Sequence, residues 1–436
     1  MTTFKSAFQQ TLIASFLLCC SCLVFSVSAA DSVASGNKAQ QLYTSQPDVT
    51  PELGKRGSYS VGVRTIEVTN PQQLSAKDFQ SLEDRSLTLE VWYPANAKDT
   101  DIQATYENVT RTHKAFSLQG HSVRGAKANQ EKTYPLVVLS HGYTGYRTIM
   151  FYLGEHLASH GYVVVGIDHT DSTTGEVDFE NAPFAGFPST LINRARDQQF
   201  VLDYFTSAKS DLAKVVDTEH ASVIGFSMGG YGALNTVGGC YNFNQQGLQG
   251  FGFPESTVKA LVPVFNICNA GRKQVDSRWK AMIAFAPWGQ EQNLHNVNAI
   301  QVPSLYVSGS LDDVSGYEQG VKKLFEQSPA KDSFMLVYEN ARHNVAPHPA
   351  PEIAYAAEAD LGLYYEPSWS SETINRINQH MTLAFLDCYV KKQTSSCEYL
   401  PKRESATQTK QADGKLSDPW PGFANRWGVG MKFMRK

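Results

Sequence analysis

Beyond residue 30 the chain has no long apolar run, no H-E-x-x-H and no internal repeat. It also has no strong excess of either charge. Each absence closes a class. Without a further run of about 20 apolar residues, no later segment reads as membrane-spanning. Lys+Arg total 38 against Asp+Glu 42, a formal charge of −4, so no global electrostatic case exists for binding nucleic acid or an anionic membrane. The 11 histidines are dispersed without metal-ligand spacing, and neither a metal nor another cofactor is expected. With 42% hydrophobic and 18% charged residues, the composition excludes disorder and leaves material for a large core.

One long apolar run does occur. Residues 12–27 (LIASFLLCCSCLVFSV) follow Lys5 and precede Ser28, Ala29 and Ala30. This is the layout of a secretory signal over residues 1–30, with an uncleaved anchor as the alternative. Loss of that segment would shift the net charge to −5 and remove Cys19, Cys20 and Cys22. Cys240, Cys268, Cys388 and Cys397 would remain. An even count in an exported chain predicts disulfides, here Cys240–Cys268 and Cys388–Cys397 as the nearest neighbours, although four cysteines allow other pairings. The expected location is the periplasm or the medium.

Residues 31–57 are polar and aperiodic, and read as a flexible leader. Residues 59–68 and 86–93 read as strands rich in β-branched and aromatic residues, and residues 96–132 as a long surface connection. A rhythm of short apolar strands and helices follows. Strands are expected at 136–140, 162–167, 221–224, 281–286, 304–308 and 334–338. Helices are expected at 149–159, 191–207, 228–236, 316–326 and 373–390. This alternation predicts one α/β domain over residues 58–400, with about eight mostly parallel strands and helices on both faces. Two segments are too long for ordinary connections and read as lids or binding loops: 168–190, with Phe179, Phe184 and Phe187, and 238–279. Residues 401–436 read as a tail.

Gly225-Phe226-Ser227-Met228-Gly229 carries G-x-S-x-G between a β-branched run and a helical run. The tight strand-to-helix turn demands small residues two before and two after the serine, and lifts the Ser227 hydroxyl over the sheet's end. A hydroxyl is a weak nucleophile until a base takes its proton. Asp312 follows the strand at 304–308 and is the first candidate for the acid, with Asp313 in reserve. His343 follows the strand at 334–338 and is the candidate base, whereas His348, between prolines, reads as a loop residue. The backbone N–H groups of Met228 and Tyr143 are the expected oxyanion donors. His141 is expected to brace the Tyr143 loop. Tyr143, Trp288 and the aromatics of 168–190 are the candidate substrate contacts.

These residues resemble the α/β-hydrolase superfamily, in the branch of dienelactone hydrolase-like proteins and platelet-activating-factor acetylhydrolases. The likeness is carried by PLVVLSHGYTGYR (135–147), LASHGYVVVGIDHTD (157–171), GFSMGGY (225–231), residues 340–343 and YSVGVR…EVWYP near residues 59–64 and 90–94. It implies a single α/β-hydrolase domain and an exported serine esterase. Two departures stand out. Dienelactone hydrolase uses cysteine where this chain has Ser227. In animal platelet-activating-factor acetylhydrolases the acid follows the strand after the nucleophile strand, and here that strand (AMIAFAPW, 281–288) has no carboxylate. The expected activity is carboxylic ester hydrolysis of a small-molecule or lipid-like ester, strongest with short acyl chains. A polyester or cutin-type hydrolase is the alternative, though long insertions argue against an open site. A binding protein on the same scaffold is a further alternative, against which the intact Ser–Asp–His order argues.

Overall fold

A computed structural model describes residues 38–43, 49–98, 101–207, 210–250, 255–268, 275–290, 295–424 and 428–436. The expected signal over 1–30, and residues 31–37 and 44–48 of the leader, lie outside the described residues.

The strands are β1 (Ser60–Leu74), β2 (Leu82–Ala95), β3 (Gln103–Val109), β4 (Ala115–Arg124), β5 (Tyr134–Ser140), β6 (Val163–Asp168), β7 (Val216–Phe226), β8 (Cys240–Tyr241), β9 (Trp279–Phe285), β10 (His295–Asn296), β11 (Ser304–Gly309), β12 (Ser333–Tyr338) and β13 (Met431–Arg435). The helices are α1 (Phe151–Ser159), α2 (Phe187–Thr206), α3 (Met228–Thr236), α4 (Gln245–Gly250), α5 (Glu255–Leu261), α6 (Lys322–Gln327), α7 (Glu358–Leu361) and α8 (Ser371–Tyr389). Among the described residues eleven strands form one sheet in the order β13-β12-β11-β9-β7-β5-β6-β2-β1-β4-β3, and β8 pairs with β10 apart from it. From β12 to β6 every pairing is parallel, while β2 joins β6, and β1 joins β2, antiparallel.

The central strands are apolar on both faces because both faces are covered. Along β5, Val137 and Leu139 face a core with Leu153 and Leu157 of α1 and Met381 and Phe385 of α8. Leu136 and Val138 face the opposite core, with Val201 and Leu202 of α2, Leu234 of α3 and Leu324 of α6. Both expected disulfides are present, Cys240–Cys268 and Cys388–Cys397.

Three expectations need correction. The sheet has eleven strands rather than about eight, because residues 96–132 hold the β3–β4 hairpin and the C-terminal segment returns as β13. In β4 the buried positions are Phe116, Leu118, Gly120 and Ser122, so the two-residue period carries little apolar signal. The supposed tail closes the sheet's edge: β13 pairs antiparallel with β12, and Phe433 stacks on Phe334 with ring centres 5.7 Å apart. The described part of the leader is packed rather than loose. Gln40 exchanges backbone hydrogen bonds with Ser117 and Gln119, and the Tyr43 hydroxyl donates to Asn375 at 2.7 Å.

Candidate active site

Ser227 stands between β7 and α3 with φ 52° and ψ −114°, a left-handed backbone that side chains rarely adopt. Two close approaches make the turn possible. A Cβ on Gly225 would lie 2.1 Å from the Gly229 carbonyl oxygen, and one on Gly229 would lie 2.0 Å from that of Ser140. The strained serine is held from the next strand. Its N–H donates to Phe285 O at 2.9 Å, and its carbonyl accepts from Tyr231 at 2.9 Å and from the Trp288 N–H at 3.2 Å. Ser227 is 8% exposed, so its access is through the cavity described below.

β11 and β12 end on the same rim as β7. Asp312 follows β11 and is 6% exposed. Its Oδ1 accepts from the N–H groups of Val314 (3.0 Å) and Ser315 (2.8 Å), while His343 Nδ1 lies 3.0 Å from Oδ1 and 3.1 Å from Oδ2. Burial alone would raise the pKa of this carboxyl. The neighbouring His343 imidazole and the two backbone N–H groups outweigh burial and hold it below the usual value. With Nδ1 engaged, Nε2 is the ring nitrogen left to His343. Asp313, the reserve candidate, lies on the wall of the cavity described below, 44% exposed in its side chain, and forms an ion pair with Arg342. His348 is buried elsewhere, against the Tyr146 hydroxyl at 2.6 Å.

The Tyr143 loop is clamped from behind. The peptide between Gly142 and Tyr143 has its carbonyl oxygen within reach of His141 Nδ1 (2.6 Å), Arg194 Nη2 (3.2 Å) and the Gly145 N–H (3.2 Å). The opposite end of that same peptide is the Tyr143 N–H. Neither it nor the Met228 N–H donates to an acceptor among the described residues. Arg194 is buried, and its Nε and Nη1 also find no partner there. Burial lowers its pKa to about 9, partly offset by Asp197, so it keeps its charge at neutral pH.

Ser227 and His343 share a cavity of about 960 Å³ whose wall also includes Tyr143, Met228 and Trp288. Phe179, Phe184 and Phe187 of the first long loop line it as expected. Phe187 meets Tyr143 and Trp288 edge-on, at 5.3 and 5.2 Å between ring centres. The second long segment behaves otherwise: none of its described residues lines the cavity. Its Tyr241, Phe243 and Phe265 pack with Tyr231 of α3 instead. Two wall contributors escaped the sequence reading. Arg111 comes from the β3–β4 turn, and Glu358, Leu361, Leu363 and Tyr365 come from the stretch between β12 and α8. The length of that stretch without an expected element was a usable signal.

A second Ser–His–Asp chain lies behind the first. Ser140 Oγ is 2.7 Å from His169 Nε2, and His169 Nδ1 is 2.8 Å from Asp197 Oδ2. Arg85 then holds both oxygens of Asp197 at 2.8 and 2.9 Å. All four side chains are buried, so this chain binds β5, β6 and α2 together and has no access to substrate.

A mostly parallel sheet covered on both faces, with a serine on a strained strand-to-helix turn and a histidine–carboxylate pair on the same rim, is the α/β-hydrolase arrangement. Known proteins agree. A family model described as PETase, PET hydrolase-like, matches residues 110–239. The chain is 26% identical over 216 residues to cutinase est1 of Thermobifida alba, covering 49% of this chain and 55% of that one. It is 37% identical over 106 residues to cutinase est2 of the same organism, covering 24% and 30%. Against platelet-activating factor acetylhydrolase of Cavia porcellus it is 23% identical over 362 residues, covering 76% and 79%. The chain thus spans about half the length of est1 and less than a third of est2. A ferulic acid esterase structure from Streptomyces cinnamoneus shares the fold, with TM-score 0.52 at 18% identity over 81% of this chain and 94% of that one. By these likenesses the chain is similar to proteins named as ester hydrolases, and its fold is that of the α/β-hydrolases.

Proposed function

We propose that the protein is a serine carboxylic ester hydrolase. The observation that carries this reading is the meeting of Ser227 and His343 in one cavity, with His343 backed by the buried Asp312. In the proposed reaction His343 Nε2 takes the Ser227 proton as Oγ adds to the ester carbonyl. The oxyanion is met by the N–H groups of Tyr143 and Met228. The alcohol leaves with the proton from His343, and water, deprotonated by the same ring, then releases the carboxylic acid and restores Ser227. Asp312 keeps the His343 proton on Nδ1 and stabilises the imidazolium.

The substrate is read as a short-acyl or lipid-like ester. A polyester or cutin-type substrate is the second reading, and two observations favour it. Several relatives are cutinases by name. The cavity rim also exposes large apolar side chains, Phe184 at 72%, Tyr365 at 49% and Val314 at 48%, as contact with an insoluble apolar surface requires. Export belongs to the same reading, supported by two disulfides and by the signal-like residues 1–30.

Turnover of p-nitrophenyl esters from acetate to palmitate, beside a polyester film, tests this. Short chains should be fastest and Ser227→Ala should be inactive. Equal rates for wild type and Ser227→Ala would leave a binding protein on this scaffold. Film erosion outpacing soluble esters would favour the polymer substrate.

A further inference from the structure

Arg111 stands at the tip of the β3–β4 hairpin and reaches the wall of the cavity that holds Ser227 and His343. Its Nε donates to Thr144 Oγ1 at 2.9 Å and its Nη1 to Ala359 O at 3.2 Å. Both anchors are neutral. The guanidinium carbon lies 4.6 Å from the ring centre of Phe179, another wall residue. Asp360 is the acidic group that acts on Arg111, but its carboxylate is taken by Thr112, through N–H at 2.8 Å and Oγ1 at 2.6 Å. The cavity's other guanidinium, Arg342, is paired with Asp313. Glu358 also lines the cavity and forms no ion pair with Arg111. Arg111 is therefore a cation whose carbon and nitrogen framework is fixed by neutral groups, and among the described residues no carboxylate pairs with it. Burial lowers its pKa to about 10, which leaves it charged at neutral pH.

Its location ties it to the reacting centre. Thr144, which holds Nε, directly follows Tyr143 and donates its hydroxyl to the Tyr143 carbonyl at 2.7 Å. Nearby, the edge-on rings of Tyr143, Phe187 and Trp288 offer flat apolar surface. We propose that Arg111 receives a carboxylate carried by the substrate away from the scissile ester, so that the favoured substrates are carboxy-substituted aromatic esters. This rests on the ester-hydrolase reading and adds the charge of the substrate to it. A carboxylate meets the free guanidinium edge through charge-assisted bonds, which Arg presents in a fork that suits two oxygens. Part of the desolvation of the guanidinium is already borne by the fold, so an uncharged group placed there leaves a half-buried cation unpaired.

Two matched pairs test this with the whole protein. Monoethyl terephthalate is compared with ethyl 4-isopropylbenzoate, and 4-acetoxybenzoate with 4-isopropylphenyl acetate. These place the charge on the acyl side and on the alcohol side. In at least one pair the charged ester should have the higher kcat/KM, by about 10- to 100-fold, the range of a hydrogen bond to a charged group. In Arg111→Gln that ratio should collapse towards equality, and Arg111→Lys should keep part of it. The ratio is taken within one variant, so a general loss of folded protein cancels. Independently, wild-type turnover should be inhibited more strongly by 4-isopropylbenzoate than by its amide. Turnover abolished by Ser227→Ala, with equal inhibition or a ratio that Arg111→Gln leaves unchanged, would overturn the role of Arg111 while leaving the esterase reading intact. Wild-type protein no more active than Ser227→Ala on all four esters would sink the esterase reading, and this inference with it.

Discussion

Asp312→Asn exchanges one carboxylate oxygen for an amide at nearly constant volume. In the wild type both backbone bonds, from Val314 and Ser315, fall on Oδ1, so the asparagine carbonyl can keep them. The amide nitrogen then faces His343 Nδ1 and can only donate. Although Oδ1 also lies 3.0 Å from Nδ1, this new donor at the Oδ2 place, 3.1 Å away, favours the ring form with its lone pair at Nδ1 and its proton on Nε2. A ring in that tautomer cannot accept the Ser227 proton. In a Ser–His–Asp arrangement this exchange lowers kcat by ~10⁴, equivalent to about 5 kcal/mol of barrier. The fold should lose only about 1–3 kcal/mol, the scale of a hydrogen bond to a buried charge. Asp313→Asn is the internal comparison. Asp313 is 44% exposed in its side chain and meets a half-exposed Arg342, a pair screened by solvent. Its loss should leave kcat within a few-fold and stability nearly unchanged. The assay is kcat and KM on p-nitrophenyl acetate, with urea unfolding of the same samples. If the two variants lose kcat to within about tenfold of each other, or if Asp313→Asn loses more, Asp312 is not the acid.

Acid should destabilise the fold before carboxylates begin to protonate. Burial lowers the pKa of His169 and His380 to about 3 and of His348 to about 4, from 6.5. A lowered histidine pKa means that the unfolded chain takes the proton first, so the stabilisation is complete above about pH 6.5 and is lost as pH falls towards 3–4. At pH 5 each group should withhold up to about 2 kcal/mol, and urea midpoints that stay level from pH 8 to 5 would contradict this. Arg194→Met should lower kcat about tenfold with little change in KM, because the Gly142–Tyr143 peptide loses a donor that polarises its N–H only as charge develops on the substrate. A rise in KM at constant kcat would show instead that Arg194 merely shapes the pocket.

The placing of Ser227, Asp312 and His343 on one rim was legible because each announces itself locally. Each follows a short apolar strand, and parallel strands deliver their C-terminal ends to one rim. The β3–β4 hairpin was not legible, since Gly120 and Ser122 occupy buried positions where the pattern needs apolar residues. His169 and Asp197 looked ordinary because their partnership spans β6 and α2, and the long segment 238–279 gave no sign of the face on which it packs.

Turn sterics, strand alternation and helix periodicity act over a few residues, and the sequence by itself determined them: the elbow at Ser227 and the α/β rhythm. The tertiary structure alone decided which distant segments close the cavity. Arg111 is bonded to Ala359 across 248 positions of chain, and β13 returns to the sheet's edge beside β12. Such contacts depend on how volumes fill and charges are shielded after folding, and neither quantity is written in the spacing of residues along the chain.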